Sequence, residues 1–152
     1  MKRFFIACYI ILFLVGGVYG YLRDNVKREY ITKEDFLYLI EKKANKYSIP
    51  IEIAKALVEQ ESNYNPNAIS KCQAIGLCQI MPSTFIAFSD KGMNPFDPED
   101  NVEVGMRYLY TLYSKHPNWN NCLAIYNGGY RYNKSKQAQL YVCQVIEKSK
   151  KY

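Results

Sequence analysis

The chain has 152 residues, enough for one domain with a real core and too few for two. Twenty Lys and Arg against fourteen Asp and Glu give a net charge of +6, thinly spread apart from Lys148, Lys150 and Lys151 at the end, which read as a solvated tail. No basic block is interleaved with stacking aromatics, so composition argues against nucleic acid, and the mild positive charge suits acidic envelope polymers or lipid head groups.

Met1-Lys2-Arg3 is basic, and residues 4–22, FFIACYIILFLVGGVYGYL, carry no charge. This is the pattern of an export signal or a single membrane anchor. The run is just long enough to span a bilayer, while Val18-Tyr19-Gly20 tolerates cleavage, and both readings stay open. Either places the rest of the chain outside the cytoplasm, with the inner membrane as a partner if the segment is uncleaved. A lipid anchor on Cys8 does not fit, because the apolar run lies mostly after it. Residues 23–33 are short and charged, a linker, and one domain is expected over 34–152.

Thr32 and Asp35 resemble a capping box, and Phe36, Leu39, Ile40 and Tyr47 recur at helical spacing. Pro50 suits the first turn of a second helix that runs to about Asn63. Residues 64–82 are loop-like, and a short helix is expected over Ser83–Ser89. Asp97-Pro98-Glu99-Asp100 opens a helix to about Ser114, with Val102, Gly105, Leu109 and Leu112 on its inner face. Cys122–Tyr126 reads as a buried helical piece stopped by Asn127-Gly128-Gly129, and Gln137–Lys148 as the last helix. No segment alternates with period two, so the domain is all or nearly all α, with roughly five to seven helices.

Within the second helix, Ala54, Leu57 and Val58 precede Glu61 by helical spacings and place its carboxyl over an apolar stripe. Glu59 lies roughly 200° around the helix from Glu61, on the face of Glu52 and Lys55, where a solvated charge is expected. Desolvation should raise the pKa of Glu61 and keep it protonated near neutral pH, as a general acid requires. The single histidine, His116, sits in a polar Lys-His-Pro-Asn loop, and no Cys-x-x-Cys pair occurs, so neither zinc nor a His-based triad is supported. Cys72, Cys78, Cys122 and Cys143 permit three disulfide pairings. Cys72 with Cys78 across the loop and Cys122 with Cys143 between late helices are the favoured pairs.

Three stretches carry a family resemblance. They are Glu61-Ser62-Asn63-Tyr64-Asn65-Pro66-Asn67-Ala68-Ile69-Ser70 with Gly76-Leu77-Cys78-Gln79-Ile80-Met81-Pro82-Ser83-Thr84, then Asp97-Pro98-Glu99-Asp100-Asn101-Val102 with Gly105 and Tyr108-Leu109, and finally Ala124-Ile125-Tyr126-Asn127-Gly128-Gly129. In order and spacing they resemble the catalytic domain of soluble-type (SLT) lytic transglycosylases, which has a goose-type lysozyme-like fold. The resemblance implies a murein-degrading lyase with Glu61 as its acid/base, Tyr126 beside that carboxyl, and Ser62, Gln79, Met81 and Asn127 as substrate-binding residues. Structural roles compete at Ser62, as a helix-end hydrogen bonder, at Met81, as core, and at Asn127, as turn chemistry. The chain departs from the family at Gln73, where glycine is usual, and at Tyr130, where proline is common.

The implied reaction is cleavage between N-acetylmuramic acid and N-acetylglucosamine, with closure of a 1,6-anhydro ring and no metal or organic cofactor. Partners would be peptidoglycan glycan strands and an envelope-spanning secretion or conjugation apparatus, because no separate wall-binding module accompanies the domain. Two alternatives compete: a hydrolytic muramidase on the same fold, for which Asp90 and Asp97 are the only second carboxyls to consider, and a wall-binding protein without activity.

Overall fold

A computed structural model describes residues 32–132 and 134–152, so the leader, Cys8 and nearly all of the linker fall outside the described residues. Lys33–Tyr152 form one unit. Its helices are α1 (Lys33–Lys46), α2 (Ile51–Ser62), α3 (Pro82–Phe88), α4 (Pro98–Lys115), α5 (Trp119–Tyr132) and α6 (Lys136–Ser149). The domain is all-α. Among the described residues the only β pairing is a pair of isolated antiparallel bridges, Ile69 with Ile75 and Ile75 with Ile80. No helix there is long and apolar enough to cross a membrane.

Apolar spacing accounts for the packing. Phe36, Ile40 and Ala44, four apart, are the buried side of α1, which packs on α2 and α4. Helix α2 buries Ile53, Ala54, Ala56, Leu57 and Val58, a near-continuous apolar surface, because it is covered by α1 and by α6. Pro50 does not enter the first turn as expected. It is the N-cap, with ψ 126°, and its carbonyl accepts the Ala54 N–H at 3.1 Å. At the other end Asn63 turns left-handed at φ 50° and donates its N–H to Glu59 O at 3.0 Å, which ends the helix immediately after Glu61 and Ser62.

Helix α4 starts as expected. The Asp97 carboxylate accepts the N–H groups of Glu99 and Asp100 at 2.9 and 3.2 Å, and Pro98 fills the first turn. Its inner face includes Val102, Gly105, Leu109 and Leu112. Gly105 has a steric reason: a Cβ there would lie 2.6 Å from Cys78 Sγ and 2.8 Å from Cys78 Cβ. The face also buries one acid, Glu103, gripped by Lys43 at 2.9 Å, Lys46 at 2.5 Å, Arg107 at 3.5 Å and the Tyr47 hydroxyl at 2.5 Å. Burial alone would raise its pKa, but the hydrogen bonds from Lys46, Tyr47 and Lys43 outweigh it and hold the carboxyl at about 2.

Helix α5 is longer than the expected Cys122–Tyr126. It begins at Trp119, where Asn118 Oδ1 accepts the Asn121 N–H at 3.1 Å, and passes through Asn127-Gly128-Gly129 with a kink at Gly129 (φ 67°, ψ 175°) instead of stopping. Helix α6 follows, its N-cap Ser135 accepting the Ala138 N–H at 3.1 Å, and lies against both α2 and α5.

Candidate active site

The apolar stripe of α2 brings Glu61 to the inner side of the domain, where the carboxyl is half-buried. Tyr141, buried on the inner face of α6 between Ala138 and Val145, donates its hydroxyl to Glu61 Oε1 at 2.5 Å. Burial raises the Glu61 pKa, the Tyr141 hydrogen bond draws it partly back, and the balance lies at about 7. At neutral pH the carboxyl is therefore close to half protonated. It can give up a proton and, once ionised, take one back.

The 64–82 segment builds the wall beside it. Ile75 and Ile80 exchange both backbone hydrogen bonds at 3.0 Å, and Gly76 N–H reaches Ala68 O at 2.8 Å, so the segment doubles back in short extended passes. Gln73, Gly76 and Gln79 all have positive φ, at 66°, 77° and 46°. Gln73 thus takes the left-handed conformation that glycine would adopt without strain. The two amide hydrogens of Gln79 are spent on Ala68 O and Gly76 O, both at 3.0 Å, so the end of the side chain not used in these bonds is its carbonyl oxygen, an acceptor. Gln79, Met81, Tyr108, Tyr126, Asn127 and Gly128 line a cavity of about 270 Å³ between this segment and α5. Met81 is 41% exposed, so it borders the cavity and is not core.

Tyr126 lies in this wall, but its hydroxyl donates to Cys78 O at 2.8 Å, and the phenol hydrogen-bonded to Glu61 is that of Tyr141. Ser62 turns its hydroxyl back to Val58 O at 3.3 Å, a helix-end bond. The favoured disulfides do not form. All four cysteines are free: Cys78 is turned inward against Gly105, away from exposed Cys72, and the Cys122 thiol donates to His116 O at 3.1 Å while Cys143 faces solvent.

The acids weighed against Glu61 are occupied. Arg107 holds Asp90 at 3.1 and 2.8 Å and depresses its pKa, and Asp97 caps α4. Glu59 is not the solvated charge its helical face suggested. Lys148 at 3.1 Å, Lys151 at 2.7 Å and the Tyr152 hydroxyl at 2.6 Å close on it. Its burial is outweighed by hydrogen bonds from Lys151, Tyr152 and Lys148, which hold it at about 2. His116 is half-buried with its ring against Tyr130, centroids 5.6 Å apart.

Sequence reasoning missed Tyr141. The signal for Tyr141 was a tyrosine on the apolar stripe of an amphipathic helix, where a buried phenol needs a partner.

Glu61 itself is not among the residues that line this cavity, and the class is carried by the helical fold, which is lysozyme-like. Residues 38–143 match the transglycosylase SLT domain family. The membrane-bound lytic murein transglycosylase C of Haemophilus influenzae is 36% identical over 90 residues, covering 53% of this chain and 25% of that protein. Among solved structures, the 70 kDa soluble lytic transglycosylase of Escherichia coli superposes with a TM-score of 0.67 at 28% identity, over 86% of this chain and 25% of that one. A complex of the 70 kDa soluble lytic transglycosylase with bulgecin A gives a TM-score of 0.59 at 28% identity, over 76% of this chain and 20% of that one. This chain belongs to the transglycosylase SLT domain family. It spans about a quarter of the length of the curated relatives it matches.

Proposed function

We propose that the protein is a peptidoglycan lytic transglycosylase in which Glu61 is the sole acid/base. The observation that carries this reading is a carboxyl poised at about 7 with every acid considered as its partner already committed elsewhere. A water-using glycosidase needs a second carboxylate, ~5–5.5 Å away as nucleophile or ~6.5–9.5 Å away as base. Asp90 is held by Arg107 and Asp97 by its cap, so neither is free for that role.

Glu61 then protonates the glycosidic oxygen between the muramoyl and glucosaminyl residues, and the bond to the muramoyl C1 breaks. The resulting carboxylate takes the proton of the muramoyl C6 hydroxyl, whose oxygen bonds to C1. Atoms balance without water, and Glu61 ends protonated as it began. Tyr141 holds Glu61 in place and steadies its ionised form. Gln79 accepts a hydrogen bond from a sugar hydroxyl or N-acetyl N–H. Met81, Tyr126 and Asn127 bound the groove. Ser62 acts by closing the helix that carries Glu61.

The uncharged run at residues 4–22 supports export or anchoring, hence action in the periplasm on peptidoglycan strands. Bulgecin A, which forms a complex with a relative, is expected to bind here too. The decisive experiment is digestion of purified peptidoglycan in heavy-oxygen water followed by mass spectrometry. Anhydro ends without label are expected. Labelled muramoyl ends would establish a muramidase, and no release at all a wall-binding protein.

A further inference from the structure

Asn101, on α4, does not line the cavity, yet it is 1% exposed and its amide is fully used on the backbone of Ile75, Pro95 and Cys78, the last of which directly precedes the lining residue Gln79. Nδ2 donates to Ile75 O at 3.0 Å and to Pro95 O at 2.9 Å, and Oδ1 accepts the Cys78 N–H at 2.9 Å. Between Ile75 and Cys78 lies Gly76, where a Cβ would come 2.4 Å from Nδ2. The backbone therefore closes directly onto the amide. Only a side chain with two donors and one acceptor at this length satisfies all three partners, because aspartate lacks the donors and glutamine needs room that Gly76 does not leave.

The grip reaches the site through a single residue. Cys78 gives its N–H to Asn101 and its carbonyl to the Tyr126 hydroxyl. The next residue, Gln79, is held left-handed, with its N–H on Gly76 O at 3.1 Å and its side-chain amide on Gly76 O and Ala68 O.

Resting on the lytic transglycosylase reading, we propose that Asn101 is a positioning residue for the reaction: through the Ile75–Gln79 backbone it sets the carbonyl that orients Tyr126 and the turn that presents Gln79 to substrate. A residue that merely stabilised the fold would lower the melting temperature and leave the kinetics of the folded enzyme alone. A positioning residue changes kcat/KM in protein that is still folded, and it shares that loss with Tyr126.

The test is a double-mutant cycle on the full chain with N101A, Y126F and N101A/Y126F, measuring muropeptide release at a temperature where circular dichroism shows each variant folded. N101A should lower kcat/KM about 10- to 100-fold, as a misplaced groove wall does. The double variant should fall close to the more damaged single variant, because both substitutions cut the same relay. Losses that multiply, or wild-type kcat/KM in folded N101A, overturn the proposal. If N101A does not fold, the isosteric N101D, which keeps the acceptor for Cys78 N–H and loses the donors, takes its place in the cycle under the same criteria. Wild type is assayed in parallel, and its failure to release muropeptides would overturn the transglycosylase reading and this one together.

Discussion

Replacing Glu61 with glutamine should stabilise the protein while abolishing its chemistry, and the gain should grow with pH. A carboxyl has a pKa near 4.5 in the unfolded chain and about 7 here, so the unfolded state releases its proton first as pH rises. The stability this group contributes is fully present below pH 4.5 and is lost as pH climbs through 7. At about 1.4 kcal/mol per tenfold change in proton affinity, wild type should lose about 2.5 kcal/mol between pH 5 and pH 8 that Glu61→Gln does not lose. All other titrating groups are common to both proteins and cancel. Urea titrations of both proteins at the two pH values measure the difference, and turnover of the variant should drop about 100- to 10,000-fold. Parallel pH dependence of the two stabilities would refute the claim that burial holds this carboxyl up.

Three further outcomes are expected. Because the Tyr141 hydrogen bond lowers the Glu61 pKa, Tyr141→Phe should move the alkaline limb of the pH–rate profile above 7 and reduce kcat; a limb that stays or moves down contradicts the assignment. Glu59→Gln should cost about 1 kcal/mol at pH 7 by releasing Lys148, Lys151 and Tyr152, a cost that fades as wild-type Glu59 protonates between pH 4.5 and about 2, while turnover changes little; chemical denaturation across that range checks it. Among the cysteines of 33–152, Cys72 and Cys143 should react with a thiol reagent in the native protein and all four after denaturation without reductant, and fewer than four would show a disulfide.

Local pattern was a good guide where the determining contacts are local. The stripe of Ala54, Leu57 and Val58 points Glu61 inward because helical phase follows from covalent geometry, and Asp97-Pro98 starts α4 where such a cap should. It failed where distant segments decide. Glu59 lies on the face its spacing assigns, but residues near Tyr152 return to cover that face, which no helical wheel can report. The phenol on Glu61 comes from a residue 80 positions away. The cysteine pairings were inferred from compartment chemistry, whereas the direction of Cys78 is set by the gap at Gly105. Pro50 shows a smaller error: a proline compatible with two adjacent helix-start positions took the outer one.

The contact between Gly105 and Cys78 has an evolutionary corollary. Any side chain at 105 would strike not only the thiol but also Cys78 Cβ, so shrinking Cys78 to alanine would not make room; the backbone of the loop would have to retreat. That backbone carries the carbonyl on which Tyr126 rests. A mutation deep in a helix far from substrate is thus forbidden for the same reason as one in the groove floor, and single steps in either place lead downhill. Lineages that alter the glycan preference of such a domain should accumulate their changes at the open rim, at exposed positions such as Met81 and Asn127, and leave this pair untouched.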